Sequence, residues 1–198
     1  MAEHRPPVAA LAASLLAIAA VFLVAGASLA TLPLHLHRDL GYGAGVVGAV
    51  AGAQFFVALL CRLWSGRLVD RIGPKQVTCL GLSISAVAGI AYLASLGLPP
   101  AAALAALFLG RAAMGAGEAL VITAGQTWCL TVFGIDRSAA ALGWAGTALF
   151  MALALGGPVG GVIFDTTGFS GVSLATLLLP LLALLPVLAR PAITPAKT

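Results

Sequence analysis

Gly66-Arg67-Leu68-Val69-Asp70-Arg71-Ile72-Gly73-Pro74-Lys75 is the stretch on which the fold turns. It holds four charges in ten residues, and apolar runs of about membrane-crossing length flank it, Gly43 to Leu63 and Val77 to Leu98. A charged hairpin this short has to emerge into water while its flanks stay in hydrocarbon. The whole chain fits that solvent. Of its 198 residues, 61% are hydrophobic and 8% charged, and the mean hydropathy is +1.11. A soluble domain carries about 25% charged residues, so this surface belongs in a bilayer. The net charge of +4 is scattered over helix ends and forms no basic patch, which argues against nucleic acid as a partner.

Six spans follow from the apolar runs: Val8 to Leu32, Gly43 to Leu63, Val77 to Leu98, Ala101 to Leu130, Ala139 to Phe164 and Val172 to Ala189. Pro99-Pro100 turns the chain between the third and fourth. Pro180 and Pro186 are expected to bend the sixth. The expected class is an all-α membrane protein. Residues 1–7 form a terminal segment, 8–189 the six-helix domain, and 190–198 a polar tail. Residues 8–98 and 101–189 read as two three-helix repeats of opposite orientation, a 3+3 inverted repeat. The first apolar run is too long for a signal-peptide core and lacks a cleavage site.

Orientation follows from basic residues in short loops. With the N-terminus inside, Arg5, Arg62, Arg67, Arg71, Lys75, Arg137, Arg190 and Lys197 fall on the cytoplasmic side, against Arg38 alone outside. Both termini and the Gly66–Lys75 hairpin are then expected in the cytoplasm. Cys61, Cys79 and Cys129 sit at the reducing ends of their spans, where free thiols are expected. No CxxC pair suggests a metal.

The fourth span carries Arg111-Ala-Ala-Met-Gly115-Ala-Gly117-Glu118. A single charge at mid-membrane costs at least about 2.5–3.5 kcal/mol. Two of opposite sign, seven residues and about 10 Å apart along a helix, share one face. That face is expected to line the bundle interior. Arg111 would serve as an anion-binding or coupling charge and Glu118 as its titratable partner; a purely structural ion pair is the alternative. Gln54, mid-helix in the second span, is either a packing hydrogen bond or a cavity-lining group. Gln126 is a further cavity-lining candidate.

Several patterns have bland readings. Gly43-Ala-Gly45-Val-Val-Gly48 satisfies GxGxxG, but no strand precedes it, so a dinucleotide site is rejected. Gly41, Gly45, Gly48 and Gly52 read instead as a close-packing helix edge. Gly168-Phe-Ser170-Gly171 mimics an intramembrane serine protease, yet the histidines, His4, His35 and His37, all lie far upstream. His35 and His37 read as residues of a solvated loop or pore mouth and hold no metal. No P-loop is present. The chain therefore reads as a non-enzyme without a cofactor.

The hairpin pattern Gly66-x-Leu68-x-Asp70-Arg71-x-Gly73-x-Lys75 resembles the loop signature between helices two and three of the major facilitator superfamily. In that reading Gly66 permits close helix approach, Gly73 a left-handed turn, and Asp70 meets a helix N-terminus or a cation. Pro74 stands where the family often has another base. Arg111 followed by Gly115-x-Gly117 resembles the family's helix-four signature, whose arginine is linked to proton or substrate handling. Gly157-Pro158-x-x-Gly161 resembles the helix-five signature of antiporters and efflux members, with Val162 and Leu153 where glycines are usual. Leu32-Pro33-Leu34-His35 with Arg62-x-Trp64-x-Gly66-Arg67, and Gly115-x-Gly117-Glu118 with Trp128, resemble the YhhS/YfcJ-like efflux subgroup.

The resemblance implies a secondary active transporter in a bacterial inner membrane, moving small organic solutes such as sugars or drugs, with proton-coupled efflux. Family members usually have twelve helices, and this chain matches the N-terminal six. It reads as a fragment, as a half that pairs with itself or with a second half, or as an inactive, non-transporting remnant or scaffold.

Overall fold

The computed structural model describes residues 8–190. Five helices build it: α1 (Val8–Leu34), α2 (Ala44–Ile72), α3 (Pro74–Ser95), α4 (Pro100–Phe133) and α5 (Ser138–Leu188). A π-helical turn, His35–Asp39, extends α1, and a 3-10 turn, Ile135–Arg137, leads into α5. Each of the five helices is long and apolar enough to cross a membrane. Helix is the form that satisfies every backbone donor within its own segment in lipid.

The polarity of the bundle is turned inside out. Ser14, Ser28, Gln54, Ser85, Arg111 and Glu118 are buried, while Phe56, Leu63, Trp64, Leu109, Phe150 and Leu185 face outward. Water would favour the reverse, and hydrocarbon favours this. Buried hydroxyls bond back to their own helix, as Thr31 does to the Ala27 carbonyl (2.8 Å) and Thr176 to that of Val172 (2.8 Å).

The apolar runs predict six spans and five helices are seen, because the stretches assigned to spans five and six both lie in α5. This 51-residue run leaves helical geometry at one residue, Gly168 (φ 69°, ψ −165°). Residues on both sides of that break, Ala148 and Leu155 before it and Leu179 and Pro186 after it, line one apolar groove with Leu16 and Leu23 of α1. The two arms of α5 therefore double back. Glycine accepts this positive φ without a Cβ clash, so the reversal needs no loop.

Small residues set the helix spacing. A Cβ on Gly160 would lie 2.7 Å from that of Ala27, and one on Gly156 would meet the Gly26 Cα at 2.9 Å. One on Gly81 would meet Val121 Cγ2 at 2.7 Å. The close-approach glycines of the α1–α5 contact are thus Gly26 on α1 and Gly156 and Gly160 on α5. Gly157 has only Ala30 Cβ at 4.0 Å, and nothing lies within 4 Å of a Cβ on Gly161. Pro158 lies between them, exposed.

The charged hairpin differs from expectation. α2 continues through Asp70 to Ile72 and α3 starts at Pro74, so Gly73 (φ 88°, ψ 157°) is the turn. Proline at the first helical position loses no needed hydrogen bond, which lets α3 start at once. Among the described residues nothing lies within 4 Å of a Cβ on Gly66. The same holds for Gly41, Gly45, Gly48 and Gly52, whose edge packs against nothing among the described residues. Asp70 and Arg71 are exposed on the last turns of α2. Lys75 donates to the carbonyls of Leu188 (3.0 Å) and Arg190, closing the C-terminal end of α5.

His35 is the other correction. It is buried, stacked on Phe169 at 4.3 Å and 9°, with Nδ1 2.6 Å from an Asp39 carboxylate oxygen. Phe169 immediately follows the Gly168 break, so the stack clamps the reversal of α5 onto the end of α1. His37 remains exposed. Ser170 donates to the Thr167 carbonyl (2.7 Å) across the Gly168 break. Residues 1–7 and 191–198, with the expected terminal segment and most of the polar tail, lie outside the described residues.

Candidate functional site: two buried charges on the central helix

α4 touches each of the other four helices. Glycines on its different faces let them close in. Gly110 accommodates the Tyr92 ring of α3, and Gly125 would place a Cβ 2.8 Å from Ile18 of α1. Gly115 faces α2 so closely that a Cβ there would enter the Gln54 carbonyl and lie 3.1 Å from the Ala58 nitrogen.

That closeness brings a side chain to Glu118. Gln54 Nε2 donates to Glu118 Oε1 at 2.7 Å, and both residues are buried. Arg111 is fully buried and donates from Nη1 to Ser28 Oγ on α1 at 3.0 Å. Ser28 in turn donates to the Ala25 carbonyl (3.2 Å). The Nε and Nη2 donors of Arg111 bond to no other described residue. Tyr92 of α3 lies beside this guanidinium.

Arg111 and Glu118 do not form the ion pair that was the structural alternative. Among the described residues the sole contact within 4 Å between a basic side chain and a carboxylate is that of His35 with Asp39. Instead the two charges are held at separate levels of α4, one by α1 and one by α2. A buried guanidinium that is not locked to the carboxylate can change partner, and the carboxylate can change partner or protonation state.

Gln126 lies two turns from Glu118 toward the hairpin end. It lines an open cavity of about 360 Å³ with Arg62, Ser65, Gly66 and Thr123. Arg62 is within electrostatic reach of Glu118. In the sequence Arg62 counts among the bases that set orientation and in the Arg62-x-Trp64-x-Gly66-Arg67 resemblance, not among the site residues. Its place eight residues after Gln54, a little over two turns along the same helix, was the available signal. The helix-two-to-three residues Gly66, Asp70, Arg71, Gly73 and Lys75 lie at the hairpin end, separate from the charges on α4. Gly157, Pro158 and Gly161 belong to the α5 arm against α1 and do not reach them. The larger groove, about 520 Å³, is walled by apolar side chains of α1 and α5 alone.

The sequence model of the Major Facilitator Superfamily matches residues 14–198. The chain is 38% identical over 136 residues to an uncharacterized MFS-type transporter of Pseudomonas aeruginosa strain LESB58, covering 68% of this chain and 34% of that protein. It is 32% identical over 181 residues to the uncharacterized MFS-type transporter YhhS of Escherichia coli K12, covering 90% and 44% respectively. It is 36% identical over 141 residues to a protein of the same description from Burkholderia mallei strain SAVP1, covering 70% and 35%. The chain thus spans between a third and a half of the length of these relatives.

Proposed function

The chain belongs to the major facilitator superfamily, a multi-pass membrane family, and on that premise we propose that it is a secondary active transporter or the N-terminal half of one. It moves a small organic solute by alternating access, with proton-coupled efflux of a sugar- or drug-like molecule as the direction. The observation that carries this reading is the separation of Arg111 and Glu118. Each is buried on the same face region of α4, and each is bonded to a different neighbouring helix. A structural ion pair would have neutralised both at least cost, so holding them apart supports a role in binding and release.

In this proposal Glu118 takes up and gives back the proton, with Gln54 holding its ionised form. Arg111 is the coupling or anion-binding charge. Gln126 lines the solute path. Asp70, Arg71 and Lys75, with Gly66 and Gly73, form the cytoplasmic-side hinge. The arm of α5 after Gly168 counts as the sixth span, which gives the two three-helix repeats and leaves both termini in the cytoplasm of a bacterial inner membrane. The unfilled glycine edge and outward aromatics of α2, Phe55, Phe56 and Trp64, support a second six-helix half or a second copy as partner.

Glu118→Gln keeps the hydrogen-bonding shape and removes the exchangeable charge. In vesicles holding the functional assembly, proton-driven solute flux should fall at least about a hundredfold while membrane insertion is unchanged. Full proton-driven flux in that variant refutes the role of Glu118. The alternative reading is a scaffold that does not transport. Absence of any flux with the partner half supplied would support it.

A further inference from the structure

From the cavity beside Gln126 we infer that the transported solute is a small hydroxylated organic anion, and that Arg62 is the residue that selects its charge. This rests on the transport reading above. The cavity holds about 360 Å³, near the lower end of the usual range for small-molecule sites. Its polar wall combines one cation, Arg62, with the amide of Gln126 and the hydroxyls of Ser65 and Thr123, and Ile122, Leu149 and Phe150 form the apolar remainder. Among the described residues no carboxylate lies within 4 Å of the Arg62 guanidinium. Glu118, the one acid on α4, accepts its hydrogen bond from Gln54.

The hydroxyls are already committed as donors. Thr123 donates to the Ala119 carbonyl (2.8 Å). The single Ser65 proton is shared between the Arg62 carbonyl (3.2 Å) and Thr123 Oγ1 (3.0 Å). What the pair still offers is lone pairs. A complementary solute therefore brings a hydroxyl donor to Ser65 and Thr123 and an anionic group to Arg62, whose fork matches a carboxylate. Gln126 supplies both donor and acceptor between them.

Gluconate, glucose and glucosamine share one carbon skeleton and differ in charge, so they serve as probes. Equilibrium binding is measured on the full chain in neutral detergent. Gluconate should bind at least about tenfold tighter than glucose, glucosamine should not compete, and added salt should weaken binding. Arg62→Gln should lose about 10- to 100-fold in gluconate affinity, and Arg62→Lys should regain part of it. Arg62 is exposed, so neither change should disturb folding. Equal binding of gluconate and glucose, no binding at all, or an unchanged affinity in Arg62→Gln overturns the inference. So does loss of gluconate binding in nanodiscs of phosphatidylglycerol but not of phosphatidylcholine, which would give the site to a lipid headgroup. Flux separates this from the reading it rests on: proton-driven flux without charge preference sinks only the anion, and Arg62-dependent binding without flux in the complete assembly sinks only transport.

Discussion

Gly115→Ala tests the contact on which the candidate site is built. The added methyl would lie 2.9 Å from the Gln54 carbonyl carbon, where ordinary contact begins at 3.4 Å. α2 must therefore move off α4 by at least 0.5 Å, and by more to clear the carbonyl oxygen. Backbone is on the other side of this clash, so no side chain can rotate away. Moving α2 out lengthens the 2.7 Å bond from Gln54 to Glu118 toward 3.2 Å or beyond. A hydrogen bond to a charged group contributes about 1.5–3 kcal/mol, and overpacking costs about 1–3 kcal/mol. The combined loss should be about 2.5–6 kcal/mol, a large share of a typical folding free energy. Gly66→Ala is the internal control, since nothing lies within 4 Å of its Cβ. There the helix gains roughly 0.5–1 kcal/mol from replacing glycine. Thermal unfolding of the monomeric chain in detergent should move in opposite directions for the two variants. Equal shifts, or a Gly115→Ala protein as stable as the parent, would refute the close-approach account.

Two further outcomes follow from the turns and caps. Gly168→Ala forces a Cβ into φ 69°, ψ −165°, a region open essentially to glycine alone, and should cost about 1–3 kcal/mol in unfolding free energy; a neutral effect would mean the reversal of α5 is not anchored there. Lys75→Met removes the donor to the Leu188 and Arg190 carbonyls and should raise hydrogen exchange in the last turn of α5 by about 5- to 10-fold; exchange rising first at the α2–α3 turn instead would count against the cap.

Much of the architecture was written in composition and charge spacing. The apolar runs located α1 to α4, and the two charges in the fourth run identified its buried face, because burying them without reason is too costly to be accidental. What binds each charge was not legible. Gln54 and Glu118 are 64 residues apart, and Ser28 and Arg111 are 83 apart, so only packing reveals the pairs. His35 reads as a loop residue in the sequence because nothing local hints at Phe169, which arrives from the other end of the chain. The glycines misled for a related reason. Spacing marks a helix edge as flat, but whether a neighbour fills it depends on which helix packs there, as the empty Gly48 and the filled Gly156 illustrate.

The 29 residues of α2 make a rod of about 44 Å, against a hydrocarbon layer of about 30 Å. The charges Arg67, Asp70 and Arg71 crowd its final two turns, which hydrocarbon would reject, and the return through Gly73 is a single joint. A push on those turns by anything in the adjoining aqueous phase would be delivered as a lever stroke to Gln54, about 20–25 Å down the same rod.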